Sequence, residues 1–251
     1  MKKFVLFLLL LFAFSGLYSI YFASDGYEIR YANVTRVIDG DTFVVEGGET
    51  VRPKGFDTTE VGEECSEEAT EWLEERIDDE VVKLKVTGED VYGRTLAYAY
   101  HNDEHIGKRM VEEGLAYTYY FDKDELYIDE LVERERESIE SNKGCLWRHD
   151  LETEEEVVHV CDATELVSEI SVVEGTVEEV SHTENITFLN FEDEYPDHCF
   201  TGVVWDSYRT RFPDKGEVYE NETIRIEGIV TEYDGKPQIE LRDSMQIRVL
   251  D

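Results

Sequence analysis

Ile38-Asp39-Gly40-Asp41-Thr42, then Arg52, then Asp57-Thr58-Thr59-Glu60, then Tyr92-Gly93-Arg94: the reading of this series decides the fold. Segments rich in β-branched residues and tyrosine, 27–38 and 42–45, flank the acidic turn, and the stretch around 50–52 continues them. Taken alone, Asp39-Gly40 is a hairpin signal and nothing more. The arginines and the second acidic cluster that follow fall at strand ends or in the loops between strands, where a rigid frame can carry chemistry.

Outward from this series, Ser66 is predicted to cap a helix whose first turn holds Glu67 and Glu68, favourable against the helix dipole. Ala69, Trp72, Leu73 and Ile77 recur at helical spacing and are expected in the core. Strands are expected over 81–86 and 95–101. A short helix carrying Ile106, Met110 and Val111 should end at Gly114, and a long charged helix should run over 124–141. An acidic linker over 150–168 separates this unit from five β-rich stretches at 171–180, 185–191, 198–205, 223–231 and 237–249. Asp234-Gly235 reads as the turn between the last two. Five such strands suggest a small closed or partly open barrel. The fold class expected is therefore α+β, mainly β, with two small barrels.

The chain carries 24 basic and 60 acidic residues, a net charge of −36, with an apolar fraction of 41 % that is ample for folded cores. The acids are spread along the chain, which favours a solvated surface suited to high salt over an acidic tail for a basic partner. At about 1 M salt the screening length falls to about 3 Å, so net charge does not exclude a nucleic-acid substrate. Two lysines precede an uncharged apolar run over 4–23, so residues 1–24 are expected to be a signal peptide or an N-terminal membrane anchor. Either places the remainder extracellularly or on the outer face of the membrane. Cys65, Cys145, Cys161 and Cys199 suit an oxidising compartment and permit two bridges, most simply one per half; three pairings are open.

Chemically, Asp41 and Asp57 are hard oxygen donors of the kind Ca²⁺ takes, and the Thr58 carbonyl can add another. Arg52 and Arg94 present planar forks suited to phosphate oxygens and to the charge of a pentacoordinate transition state. Glu60, kept off a metal, can accept a proton from water.

In this order and spacing, Ile38-Asp39-Gly40-Asp41-Thr42, Arg52 with Asp57-Thr58-Thr59-Glu60, and Tyr92-Gly93-Arg94-x-Leu96-Ala97-Tyr98 resemble the thermonuclease (staphylococcal-nuclease-like) family. Gly114-Leu115-Ala116 and Leu146-Trp147 match as well, and the domain is expected over 27–149. The resemblance implies a five-stranded OB-type barrel with three helices that hydrolyses DNA or RNA to 3′-phosphate ends. It also implies Ca²⁺ at Asp41, Asp57 and Thr58, phosphate at Arg52 and Arg94, and Glu60 as general base. Tyr92 and Tyr120 are the implied nucleotide contacts. The family's proline after Asp-Thr is Thr59 here, a lysine before Tyr-Gly-Arg is Val91, and a second covering tyrosine is Asp122.

Residues 169–251 resemble an OB-fold module of the kind appended to exported nucleases. Phe191, Tyr195, Trp205 and Tyr208, with Arg209 and Arg211, are candidates for stacking and backbone contacts to a single strand, or else barrel core. The competing reading of the whole chain is a non-catalytic pair of OB modules; a cation-storing acidic surface is a third. A monomer is expected, with no protein partner.

Overall fold

The computed structural model describes residues 22–24, 27–120, 125–149, 151 and 157–250. Nearly all of the expected leader therefore lies outside the described residues, as does Asp122; Phe22–Ser24 pairs antiparallel with residues 27–29. Among the described residues no helix is long and apolar enough to cross a membrane.

The first barrel is built from β1 (Tyr27–Asp39), β2 (Thr42–Val45), β3 (Glu49–Pro53), β4 (Val81–Glu89) and β5 (Thr95–His101). β1, β2 and β3 form an antiparallel meander; β3 then runs parallel to β5, β5 antiparallel to β4, and β4 closes back onto β1. Closure depends on the length of β1. Its residues 28–33 pair with β4 and its residues 34–39 with β2, so one strand serves two neighbours. Inside lie Val34, Phe43, Val45, Val51, Val82, Leu84 and Ala97.

Three helices cover this barrel: α1 (Ser66–Ile77), α2 (Ile106–Glu112) and α3 (Ile128–Glu140). α1 buries Ala69, Leu73 and Ile77, four residues apart along one stripe. Trp72 is only partly buried and stacks under the Arg76 guanidinium at 3.8 Å. Ser66 does not cap α1. Cys65 holds the cap position in a left-handed conformation, and the Ser66 hydroxyl donates back to the Glu63 carbonyl at 2.6 Å. α3 starts later than its sequence suggests because Tyr127, at φ 69°, turns the chain into the helix.

The second barrel repeats the plan with β6 (Ile170–His182), β7 (Ile186–Phe191), β8 (Phe200–Trp205), β9 (Thr223–Tyr233) and β10 (Lys236–Glu240). β8 runs parallel to β10, and β6 again serves two neighbours, β9 through residues 170–176 and β7 through residues 177–182. Asp234 and Gly235, at φ 51° and 79°, make the tight turn between β9 and β10, as expected of Asp-Gly. The last expected strand, 237–249, is broken: a turn at Ser244–Gln246, capped by Asp243, separates β10 from the short strand Ile247–Val249. Val157–His159 pairs parallel with β6, so the stretch expected as linker already carries barrel structure from Val157 onward.

Each disulfide stays within one barrel, Cys65–Cys145 in the first and Cys161–Cys199 in the second. With the partners 80 and 38 positions apart in sequence, each would stabilise by roughly 4 kcal/mol in a chain-entropy picture.

Polar groups join the two barrels. Glu135 of α3 pairs with Arg211 at 2.8 Å, both nearly sealed from solvent, and its other oxygen accepts the Thr118 amide at 2.7 Å. Arg136 pairs with Asp243 at 2.8 Å, and the His149 amide donates to Glu227 at 3.1 Å. The Tyr208 hydroxyl donates to the Thr118 carbonyl at 3.2 Å. A buried pair such as Glu135 with Arg211 adds little net stability, but removing one partner costs about 3–5 kcal/mol, so it fixes how the barrels dock.

Candidate active site

Gly40 permits the site to assemble. A Cβ there would lie 2.8 Å from the Ala69 Cβ and 2.9 Å from both Thr58 Cγ2 and Oγ1. The bare backbone therefore lets the β1–β2 turn lie against α1 and the Thr58 loop together. The neighbouring Asp41 amide donates to Asp39 Oδ1 at 3.1 Å, which gives Asp39 a turn-closing role; burial and the nearby Asp41 charge raise its carboxyl pKa.

Asp41 is buried and fully engaged. Its Oδ2 accepts the Thr58 amide at 3.1 Å and the Thr58 hydroxyl at 3.2 Å, while Oδ1 accepts the Thr42 hydroxyl at 3.0 Å and faces Arg52 Nε at 3.1 Å. Arg52 projects from β3 and ties the two acidic clusters together. Besides Asp41 it holds Asp57 through Nη2, and its Nη1 donates to the carbonyls of Pro53 at 2.7 Å and Phe56 at 3.1 Å. Asp57 ends a short strand, Gly55–Asp57, that pairs with Tyr117–Tyr119. Burial raises the Asp57 carboxyl pKa to about 6; Arg242 and Arg52 oppose this and Asp41 adds to it.

Glu60 follows on an exposed loop and makes no ion pair among the described residues. Its amide donates to Glu63 Oε2 at 2.8 Å, and the Glu63 amide returns to the Glu60 carbonyl at 2.9 Å, a closed two-bond turn that presents the Glu60 carboxylate outward. On the opposite rim, the β4–β5 hairpin is organised by Asp90, whose Oδ1 accepts the amides of Tyr92 and Arg94, both at 2.9 Å. Gly93, at φ +80°, allows that turn. Asp90 Oδ2 takes Arg94 Nε at 2.7 Å, the guanidinium lies 5.6 Å from the exposed Tyr92 ring, and Arg94 remains one-third exposed.

One cavity of about 670 Å³ gathers Asp41, Arg52, Asp57, Thr58, Glu60, Tyr92, Arg94 and Tyr120. Tyr120 lines it from a buried position, with its hydroxyl donated to the Ser207 carbonyl at 2.9 Å. The six candidates on the second barrel do not line this cavity. Phe191 is wholly buried against Phe200 and offers no face for stacking; with Thr187 and Leu189 it forms the inward side of β7. Tyr195 is 74 % exposed and stacked on His198, Trp205 is partly exposed with its ring nitrogen on Glu240, and Arg209 is held by Asp206 at 3.0 Å and the Thr183 carbonyl at 3.2 Å. Tyr208 and Arg211 are buried in the joint between the barrels.

Three cavity neighbours have no sequence motif. Lys54 lines the cavity and pairs with Glu125 at 2.9 Å. Arg242 of the second barrel reaches within 4.0 Å of Asp57 Oδ2.

Among the described residues no group of three or more His, Cys, Asp or Glu gathers into a metal cage. The pair Asp41 and Asp57 nonetheless fits a hard divalent cation. Both offer only oxygen, the donor such an ion takes, and Arg52 supplies the positive charge between them in this structure.

A family model described as "Staphylococcal nuclease homologue" matches residues 47–149, beginning just past Asp41. The chain is 30 % identical over 125 residues to a thermonuclease of Staphylococcus intermedius, covering 45 % of this chain and 74 % of that one. It is 29 % identical over 135 residues to a thermonuclease of Staphylococcus hyicus, 49 % of this chain and 79 % of that one. A third relative, endonuclease YncB of Bacillus subtilis, is 33 % identical over 133 residues, 47 % of this chain and 63 % of that one. These matches account for about half of the chain, and on them it belongs to the staphylococcal nuclease homologue family.

Proposed function

We propose that this nuclease-family chain is a Ca²⁺-dependent phosphodiesterase that hydrolyses DNA or RNA outside the cytoplasm as a monomer. The observation that carries the reading is Arg52 bridging Asp41 and Asp57 in the same cavity that Glu60 and Arg94 line. Glu60 faces solvent without an ion-pair partner among the described residues, which suits a group that takes a proton from water. The water oxygen forms the new bond to phosphorus as Glu60 takes its proton, the bond to the 5′-oxygen breaks, and that oxygen picks up a proton from solvent to leave as a 5′-hydroxyl, the 3′-phosphate remaining on the other product. Arg52 and Arg94 stabilise the extra negative charge that develops on the phosphoryl oxygens between those two events. Asp41, Asp57 and the Thr58 carbonyl would hold Ca²⁺, which supplies charge neutralisation at a phosphate oxygen. Tyr92 and Tyr120 form the walls beside the nucleotide. Two disulfides and the charged-then-apolar N-terminal sequence support export or anchoring through residues 4–23.

The test is cleavage of single- and double-stranded DNA and RNA in molar salt by the intact chain, by Glu60→Gln and by Arg94→Ala, with Ca²⁺ or with chelator. Cleavage that needs Ca²⁺ and falls at least a hundredfold in both variants is expected. Equal activity in every sample overturns the reading, and nucleic-acid binding without cleavage points to a non-catalytic pair of OB modules.

A further inference from the structure

The second barrel is more than a neighbour of the cavity. Three separate parts of the cavity wall are held by it. Asp57 is bracketed: Arg52 takes Oδ1, and Arg242 of the second barrel stands 4.0 Å from Oδ2. Arg242 itself has little freedom, since its Nη2 pairs with Glu240 at 3.1 Å and its guanidinium lies 4.3 Å from the Tyr117 ring and 5.6 Å from that of Tyr208. The loop that presents Glu60 is clamped at its far end by Glu64. There the Glu64 amide donates to the Ser168 carbonyl at 2.9 Å, and the Glu64 carboxylate accepts the Ile170 amide at 2.7 Å. Tyr120 is tied down by the Ser207 carbonyl at 2.9 Å.

We propose that the second barrel is a structural half of the nuclease site, with Glu64 and Arg242 as positioning residues for the Glu60 loop and for Asp57. The inference rests on the reading of Glu60 and Asp57 given above. Its physical basis is the sensitivity of catalysis to placement: a misplacement of about 1 Å can cost about a hundredfold in rate. Residues 60–62 are exposed, between the buried Thr58 and Thr59 on one side and Glu64 on the other, so the Glu64 clamp limits how far the Glu60 carboxylate wanders. Arg242 fixes the rotation of the Asp57 carboxylate from the side that Arg52 does not reach.

The experiment compares Glu64→Ala, Glu64→Gln, Arg242→Met and Arg242→Lys in the full chain with Arg136→Met, which breaks an inter-barrel pair away from the cavity. For each, kcat and KM on a short single-stranded DNA are read with Ca²⁺, the melting temperature is measured, and amide exchange over residues 59–64 is followed in chelator. Glu64→Ala and Arg242→Met are expected to lower kcat at least tenfold with KM changed less than threefold. Glu64→Gln, which keeps an acceptor for the Ile170 amide, should reduce the loss to about threefold. Exchange over 59–64 should quicken in Glu64→Ala without metal, while Arg136→Met lowers the melting temperature and leaves kcat within twofold. If Glu64→Ala or Arg242→Met does not fold, Glu64→Gln and Arg242→Lys decide, with losses of about threefold expected. Unchanged kcat in the folded positioning variants, or a loss that merely follows melting temperature across all variants including Arg136→Met, overturns the inference alone. A wild-type chain that does not cleave overturns the underlying reading and this inference with it.

Discussion

Thr58 donates both its amide and its hydroxyl to one oxygen of Asp41, at 3.1 and 3.2 Å. The loop after Asp57 is thereby stitched to the first hairpin, and one Asp41 oxygen is already saturated. Thr58→Val keeps the shape and the amide bond but removes the hydroxyl. A stability loss of about 1 kcal/mol in urea unfolding is expected, together with a several-fold loss in Ca²⁺-dependent cleavage. Equal midpoints and rates would show that the Thr58 hydroxyl adds nothing to the hold its amide has on Asp41.

Gly40→Ala places a methyl group 2.8 Å from Ala69 and 2.9 Å from Thr58. The turn must lift away from α1, at a cost of about 1–3 kcal/mol as for other overpacked sites. Because Asp41 is the next residue, activity should fall more steeply than stability. Parallel denaturation and cleavage measurements on this one variant separate the two effects.

His105 supplies a pH prediction remote from the cavity. It is packed edge-on against Tyr100 and Tyr127 with ring centroids 5.1 Å away and beside Tyr98 at 5.9 Å; Nδ1 accepts the Lys108 amide at 3.2 Å, and Nε2 has no hydrogen-bond partner among the described residues. Burial first, then the Lys108 charge, lowers its pKa to about 4; Arg134 acts in the same direction, and Glu130 opposes. The unfolded chain then binds the proton more readily than the folded one. Stability attributable to His105 is complete above about pH 6.5 and is lost as pH falls toward 4, by about 3 kcal/mol in all. A folded His105→Gln variant should show a flatter stability profile over that window, measured by urea midpoints at half-unit pH steps.

Cys65 closes the loop that begins at Glu60, and its disulfide to Cys145 pins that loop to the segment just before Trp147. The Cys65→Ser, Cys145→Ser double variant should lose roughly 4 kcal/mol and a larger share of its cleavage rate than the Cys161→Ser, Cys199→Ser pair. Reverse ordering of the two pairs in a cleavage assay would place the loop's rigidity elsewhere.

With a net charge of −36 the protein repels its substrate until salt shortens the screening length from about 10 Å at 0.1 M to about 3 Å at 1 M. KM for DNA should therefore fall as salt rises over that range, opposite to the response of a basic nuclease, whose affinity weakens through loss of counterion release. A salt titration at fixed Ca²⁺ checks the sign.

What could be read from the chain alone follows from distance along it. Asp41, Arg52 and Asp57 lie on successive strands or their ends, so spacing is enough to bring them together. Arg94 is carried to the same cavity by the β3–β5 parallel pairing, which follows from the order of the strands. Glu64 and Arg242 carry no motif, because their contacts depend on how two barrels dock, and docking is set by buried pairs such as Glu135 with Arg211 that no local pattern announces. Phe191 was legible as core: Thr187, Leu189 and Phe191 alternate on one side of β7, and that period of two is the mark of the inward face. The break in the last strand was harder, since the Asp243 cap and its turn sit within an otherwise β-rich run.

The arginines at the joint and in the cavity bear on the outside of the molecule as well. Arg52, Arg211, Arg225 and Arg242 all turn inward, each with an acidic partner. Withdrawing matched pairs leaves the net charge untouched but removes a far larger fraction of a scarce cation than of a plentiful anion. The hydrated skin is accordingly closer to single-signed than the composition implies. An approaching phosphate chain therefore meets surface cations, such as Arg76, Arg109, Lys143 and Arg148, that each already lie beside a carboxylate.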